Sequence, residues 1–284
     1  MLTTSLSLDR QGLTTLDPHL LSASLERISA RENQLTTLPD ALWSLPNLKF
    51  LSVGSNQIHE IPPQIGQLTT LTHLLLDGNP FTHLPDSMGQ LVNVQILDLG
   101  HCRLLTLPAT LTQLQRLEFF YASDNQLTEC PAWIGELAHL RYFNMTDNRL
   151  KVVPDTLGNL HQLIELRLYN NQLTRLPDAI CQLPHLRELY LQGNILDALP
   201  DAIGDLAYLR ILDCRNNRLT HIPDGIGDLA NLLYLDLRGN RLTHLPPTIT
   251  RLPKLEKLDL RWNQFTQKSP ELRQLEERGC LVYI

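Results

Sequence analysis

Three carboxylates recur at one spacing near the end of the 284-residue chain: Asp213, Asp236 and Asp259, each 23 residues from the next. Stacked on neighbouring strands, such a column could hold a metal ion or share a proton between acids. Two residues further on, Arg215, Arg238 and Arg261 keep the same step. The two columns together read as an alternating ion-pair ladder that cancels the repulsion among the acids. His221 and His244 share another column and would lie about 5 Å apart on adjacent strands. A metal site needs further ligands, and none can be placed beside them. The five cysteines are scattered and include no CxxC pair. Cys214 occupies an inward Leu position, Cys130 the Leu before a Pro, and Cys181 the Gly of an Ile-Gly pair, so they read as core substitutions. Their pattern fits free thiols in a reducing compartment. There is no GxGxxG, P-loop, HExxH, GxSxG or EF-hand motif. The sequence therefore assigns no catalytic residue, no metal site and no cofactor, and the chain reads as not an enzyme.

The elements that carry these columns follow from an internal repeat. Pro39, Pro62, Pro85, Pro108, Pro131, Pro154, Pro177, Pro200, Pro223 and Pro246 are each 23 residues apart. An asparagine ladder from Asn33 to Asn263 keeps the same step, with Cys102 in its one missing place. Around each Asn the text is LxxLxLxxNxL, as in Leu163, Leu166, Leu168 and Asn171. The LxL alternation makes a short strand with Leu inward and the intervening residues outward. The inward Asn must find backbone partners, and Cys102 offers only a weak donor there. The following LPDxIGxL stretch turns the chain. Pro fixes φ and cannot join a central ladder, and the Asp after it (Asp40, Asp86, Asp155, Asp178, Asp201, Asp224) suits a cap on a short helical turn. Leu and Ile spaced by three fit 3₁₀ turns. One unit cannot bury its Leu face alone, so units stack strand beside strand into a parallel sheet.

The reading gives residues 1–24 as a degenerate first repeat, residues 25–267 as eleven repeats, and residues 268–284 as a capping helix and strand, all in a single domain. The first strand lies within Thr3–Gln11, one residue short of the period, with Gln11 in the Asn place. At the other end Ser269–Pro270 starts a helix, Leu272 and Leu275 share one side, Gly279 stops it, and the last residues add a closing strand.

This pattern resembles the leucine-rich repeat family. Its 23-residue unit is similar to Ras-group-related leucine-rich repeat proteins of plants, their bacterial counterparts, and the animal leucine-rich repeat scaffold of the Ras–Raf pathway. The resemblance implies an α/β solenoid, a curved right-handed horseshoe. Its parallel β-sheet lines the concave face, short 3₁₀ turns line the convex face, and a helix–strand cap closes the C-terminal end. It implies a non-catalytic interaction module or adaptor that binds a protein partner on the concave face. The alternative is a bacterial effector or regulatory subunit that modulates a kinase, phosphatase or GTPase pathway in trans. Enzymes of the family carry a separate catalytic domain, and too few residues lie outside these repeats for one.

Composition narrows the partner. Apolar residues make up 43% and charged residues 19%, which suits a folded chain, and with aromatics at 6% the core must be aliphatic. The net charge of −6 argues against a basic nucleic-acid binder. No apolar run is long enough to span a membrane, and MLTTSLSLDR lacks the basic and apolar blocks of a secretory signal. A cytoplasmic monomer is expected, or a protein of the host cytoplasm if it is a secreted effector. The outward strand residues are small or polar in the first units, as at Ser29, Ser52 and Gly54, aromatic in the middle, and rich in Arg at the end. Aromatic residues flanked by Arg have the composition of interface hot spots. The candidate binding residues are Phe119, Tyr121, Tyr142, Arg167, Tyr169, Tyr190, Arg215, Arg238, Arg261 and Trp262. The aromatics would anchor a protein partner, and the Arg columns would orient an acidic part of it.

Overall fold

The structure is a computed structural model that describes residues 4–284. Thr3, where the first repeat is expected to begin, lies outside the described residues. The chain divides into two compact units, one ending at Leu140 and the other spanning Arg141–Ile284.

The first unit carries six parallel strands: β1 (Ser5–Ser7), β2 (Arg27–Ser29), β3 (Phe50–Ser52), β4 (His73–Leu75), β5 (Ile96–Asp98) and β6 (Phe119–Tyr121). The register is the sequence period: Arg27 pairs with Phe50, and Phe50 with His73. Ser5 pairs with Arg27, so the first step is one residue short, as the spacing predicts. The middle residue of β2–β6 (Ile28, Leu51, Leu74, Leu97, Phe120) is fully buried. Full burial of such a side chain is worth about 1.5–3 kcal/mol, and the stacked units share it.

The second unit repeats the plan with β7 (Tyr142–Asn144), β8 (Glu165–Arg167), β9 (Glu188–Tyr190), β10 (Ile211–Asp213), β11 (Tyr234–Asp236) and β12 (Lys257–Asp259), then α1 (Pro270–Glu277) and β13 (Leu281–Tyr283). β13 lies parallel to β12, with Lys257 opposite Leu281. Helix α1 has Pro in its first turn, buries Leu272 and Leu275, and ends before Gly279, whose φ is 89°. Arg278 donates to the Leu252 carbonyl at 2.8 Å and to the Thr250 carbonyl, tying the cap to the last repeat. No helix among the described residues is long and apolar enough to cross a membrane.

The asparagine ladder is satisfied by backbone, as a buried amide requires. The Asn171 side chain donates to the carbonyls of Met145 at 3.0 Å and Leu168 at 3.0 Å, and its oxygen accepts the Leu150 N–H at 3.0 Å. Asn56, Asn79, Asn194, Asn217 and Asn240 do the same, each binding its own turn and the repeat before it. Cys102 reaches the carbonyls of Gly100 at 3.3 Å and Leu76 at 3.7 Å through sulfur.

The Asp after each Pro does not cap a helical turn. The extended residue before each turn is the Pro itself, with φ −73° and ψ 149° at Pro39, so Asp40 falls one place too late, inside the turn. Asp86, Asp155, Asp178, Asp201 and Asp224 sit likewise as first residues of five-residue 3₁₀ turns, exposed, where their charge suits the turn's N-terminal end. Among the described residues, the Asp that caps is Asp17, which stands before Pro18 and accepts the His19 N–H at 2.9 Å.

A second regularity has no counterpart in the sequence reading. The residue before the ladder position has positive φ in every unit, from Arg10 and Glu32 through Asp124, Asp147, Asn170 and Asn216 to Trp262, with Gly78, Gly193 and Gly239 between them. The recurrence of Gly, Asn and Asp there is the signal that marks a left-handed turn.

Candidate functional site

On the strand face of the second unit, the residues that precede and follow the buried middle residue point outward. Arg167 on β8 has Tyr190 of β9 beside it in register. Its guanidinium carbon lies 4.9 Å from the Tyr190 ring centroid and 5.7 Å from that of Tyr142 on β7. These are cation–π distances. The same guanidinium is hydrogen-bonded to Glu165, two residues back on the same strand. Burial opposes the charge of Arg167, but the Glu165 bond and the two phenols outweigh it and raise its pKa. The Tyr190 hydroxyl donates to Glu188 at 2.7 Å. Burial and that carboxylate push its pKa well up, so the phenol remains a donor. Tyr142, Arg167 and Tyr190 therefore form one braced cluster of half-buried rings.

The carboxylate column is brought together in register: Asp213 pairs with Asp236, and Asp236 with Asp259. Arg238 binds Asp236 at 2.6 and 2.9 Å and approaches Asp259 at 3.5 Å. Arg261 binds Asp259 at 2.7 and 2.9 Å. Arg215 sits 3.3 Å from Asp213. Asp259 is completely buried. Burial disfavours its charge, but the bonds from Arg261 and the nearby Arg238 prevail and hold its pKa below the ordinary carboxylate value. Asp213, with the weakest Arg contact of the three, is pushed up to about 6 by burial, with Asp236 adding to the rise. A pocket of about 180 Å³ opens among Asp213, Asp236, Asp259, Tyr234 and Lys257. Among the described residues no three His, Cys, Asp or Glu side chains are placed to hold a metal. His221 and His244 are exposed, and each lies against its neighbouring threonine hydroxyl, at 3.3 and 3.0 Å.

A second groove, of about 520 Å³, gathers four of the residues named from sequence: Tyr169, Arg215, Arg238 and Trp262. Trp262 is 72% exposed and holds φ at 61°. Arg261 stacks 5.6 Å from its ring and 5.2 Å from the ring of Tyr283 on the closing strand. Tyr283 was not among the sequence candidates; its place follows only once β13 pairs with β12. Phe119 and Tyr121 lie half-buried on β6 of the first unit.

The Leucine rich repeat family profile matches residues 3–58, 69–127 and 207–265, and the Leucine-rich repeat region profile matches residues 125–212. The chain belongs to the leucine-rich repeat family. It is similar to a solved leucine-rich repeat protein of Leptospira interrogans, at 28% identity over 98% of this chain and 95% of that one, with a TM-score of 0.52. An internalin of Listeria monocytogenes shares the fold at 20% identity over 99% and 86% of the two chains, with a TM-score of 0.81. The Arabidopsis receptor kinase HAESA, solved in complex with a peptide hormone and a co-receptor, is 30% identical over 92% of this chain and 46% of that one, with a TM-score of 0.80. This chain thus spans less than half of the HAESA chain. A comparison with curated proteins gives no match. The HAESA complex shows this repeat fold serving as a protein-interaction module.

Within this leucine-rich repeat chain, the Asp and Arg columns form the ion-pair ladder expected from their spacing. Arg167, Arg215, Arg238 and Arg261 are each paired with an acid of their own face. Their charge is spent on bracing the strands and is largely cancelled before any acidic partner arrives. The small residues of the first strands also have a physical reason. Arg31 reaches across β3 to Asp77, binding it at 2.7 and 2.8 Å and touching Ser52 at 3.3 Å. A Cβ on Gly54 would stand 2.4 Å from the Asp77 carboxylate oxygen and 2.7 Å from Arg31, so only glycine leaves room for the pair.

Proposed function

We propose that the chain is an adaptor that binds a protein partner on the strand face of its second unit. The observation that carries this is a row of aromatic rings on one sheet face: half-exposed Tyr142 and Tyr190 braced by Arg167, and Tyr169 and the exposed Trp262 lining one groove. Rings immobilised before binding lose little entropy when a partner covers them, and aromatic anchors dominate interface energetics. The complex of HAESA with a peptide hormone supports a protein ligand for this architecture. Five buried cysteines, all free, support a reducing compartment and hence the cytoplasm. The 23-residue unit supports kinship with the Ras-group-related class, and with it a role in signalling.

The test is a pull-down with the full chain, followed by titration of the recovered partner against the Tyr142→Ala/Tyr169→Ala double variant. Both rings are half-exposed, so melting stays close to the parent while affinity falls tenfold or more. Unchanged affinity in a folded double variant refutes the anchor role.

A further inference from the structure

We infer that the edge of the second unit where its strands begin is a docking site for an extended acidic segment of the protein partner. This rests on the reading of the chain as a protein-binding scaffold and adds to it a second, separate surface. Arg187 and Arg210 stand one residue before β9 and β10 and are stacked through the backbone, the Arg210 N–H donating to the Arg187 carbonyl at 2.8 Å and the Leu233 N–H to the Arg210 carbonyl at 2.9 Å. Two residues earlier in each unit lies a parallel column. In it Tyr208 is 55% exposed and Lys254 donates to the Asn231 side chain at 2.7 Å. Arg187, Tyr208, Arg210, Asn231, Leu233 and Lys254 together line a pocket of about 330 Å³.

Three cations and no anion line this pocket. Among the described residues, Arg187, Arg210 and Lys254 make no ion pair, whereas every Arg named for the strand face is paired. Two acids stand at its margins and outside its lining: Glu188 accepts the Tyr190 hydroxyl at 2.7 Å and Glu256 the Tyr234 hydroxyl at 2.9 Å. The chain as a whole carries −6, so this positive edge is a local feature and not a product of composition. A partner with clustered carboxylates is its electrostatic complement.

The geometry also sets the form of the ligand. From the unit of Arg187 to that of Lys254 is three strand intervals, about 14 Å. An extended segment of about four or five residues covers that distance. Its acids would meet Arg187, Arg210 and Lys254 while an apolar side chain between them rests on Tyr208 and Leu233. Neutralising three exposed cations is a weak, salt-sensitive contribution, so this edge orients and speeds docking more than it anchors it.

The experiment is fluorescence anisotropy of the full chain with a short labelled peptide of alternating Glu and Phe, with a Gln-for-Glu peptide as control. The acidic peptide binds, its affinity falls as salt is raised, and Arg187→Glu/Arg210→Glu weakens it tenfold or more with melting unchanged. Arg218→Glu/Arg241→Glu, exposed beyond the ladder asparagines, leaves binding intact, and so does Tyr142→Ala/Tyr169→Ala. That last result separates this edge from the strand-face reading, since either can fail alone. The inference is overturned by no binding of the acidic peptide at low salt, by equal binding of the Gln peptide, by an equal loss in the Arg218/Arg241 variant, by a loss in the tyrosine variant in place of the arginine one, or by a single-stranded oligonucleotide that binds as tightly and loses affinity in the same arginine variant.

Discussion

Replacing Cys102 with asparagine restores the single gap in the ladder and should stabilise the unit that contains it. At the equivalent place Asn79 donates to the carbonyls of Val53 at 3.0 Å and Leu76 at 2.8 Å, and its oxygen accepts the Ile58 N–H at 3.0 Å. The thiol of Cys102 makes two longer, weaker contacts through its hydrogen, and no acceptor faces the Phe81 N–H among the described residues. Phe81 is fully buried. An unsatisfied buried N–H costs about 1–3 kcal/mol, and a net hydrogen bond adds about 1 kcal/mol. His101, which precedes the site, already holds the left-handed turn at φ 54° that the ladder uses everywhere. The larger side chain offsets part of the gain, leaving about 2 kcal/mol. Because repeat arrays unfold by neighbouring units and not always as one, residue-level amide exchange is the suitable assay. The Phe81 amide should gain about thirtyfold in protection, with the Ile58 amide as the internal reference. Unchanged protection at Phe81 in a folded Cys102→Asn protein refutes the argument that the ladder stabilises through its amide oxygen.

Asp213→Asn should flatten part of the stability profile. The folded pKa of about 6 lies above the ordinary value of 3.8, so the proton is held more tightly in the folded chain. That contribution is complete below about pH 4 and is lost as pH rises through about 6, a change on the order of 3 kcal/mol. Urea midpoints across this range fall for the parent and stay level for the variant; parallel profiles contradict the assignment. Trp262→Gly removes a bulky residue from positive φ and should stabilise the last repeat by about 1 kcal/mol, while weakening partner binding. A lower urea midpoint in that variant would show that its contact with Arg261 outweighs the backbone strain.

Much of this protein was legible in its sequence because its interactions repeat at one period. The 23-residue step placed the strands, the inward Leu and the ladder Asn, and the pairing of Phe50 with His73 follows it. The cap was legible too, since Pro270, Leu272, Leu275 and Gly279 mark a short helix by local rules. The Asp after each Pro misled because capping depends on which residue is extended, and the proline takes that place. The left-handed column was missed although its Gly, Asn and Asp were visible, because its other members, such as His101 and Trp262, obscure the signal.

Stacking the units settles which charges are spent. Arg238 finds Asp236 at the end of β11 and Asp259 at the end of β12, and Arg31 finds Asp77 two repeats away. Arg187 and Arg210 carry the same charge and form no ion pair among the described residues. Composition and period treat these arginines alike. Pairing depends on side-chain reach and rotamer across neighbouring strands, and those are fixed only when the units are stacked.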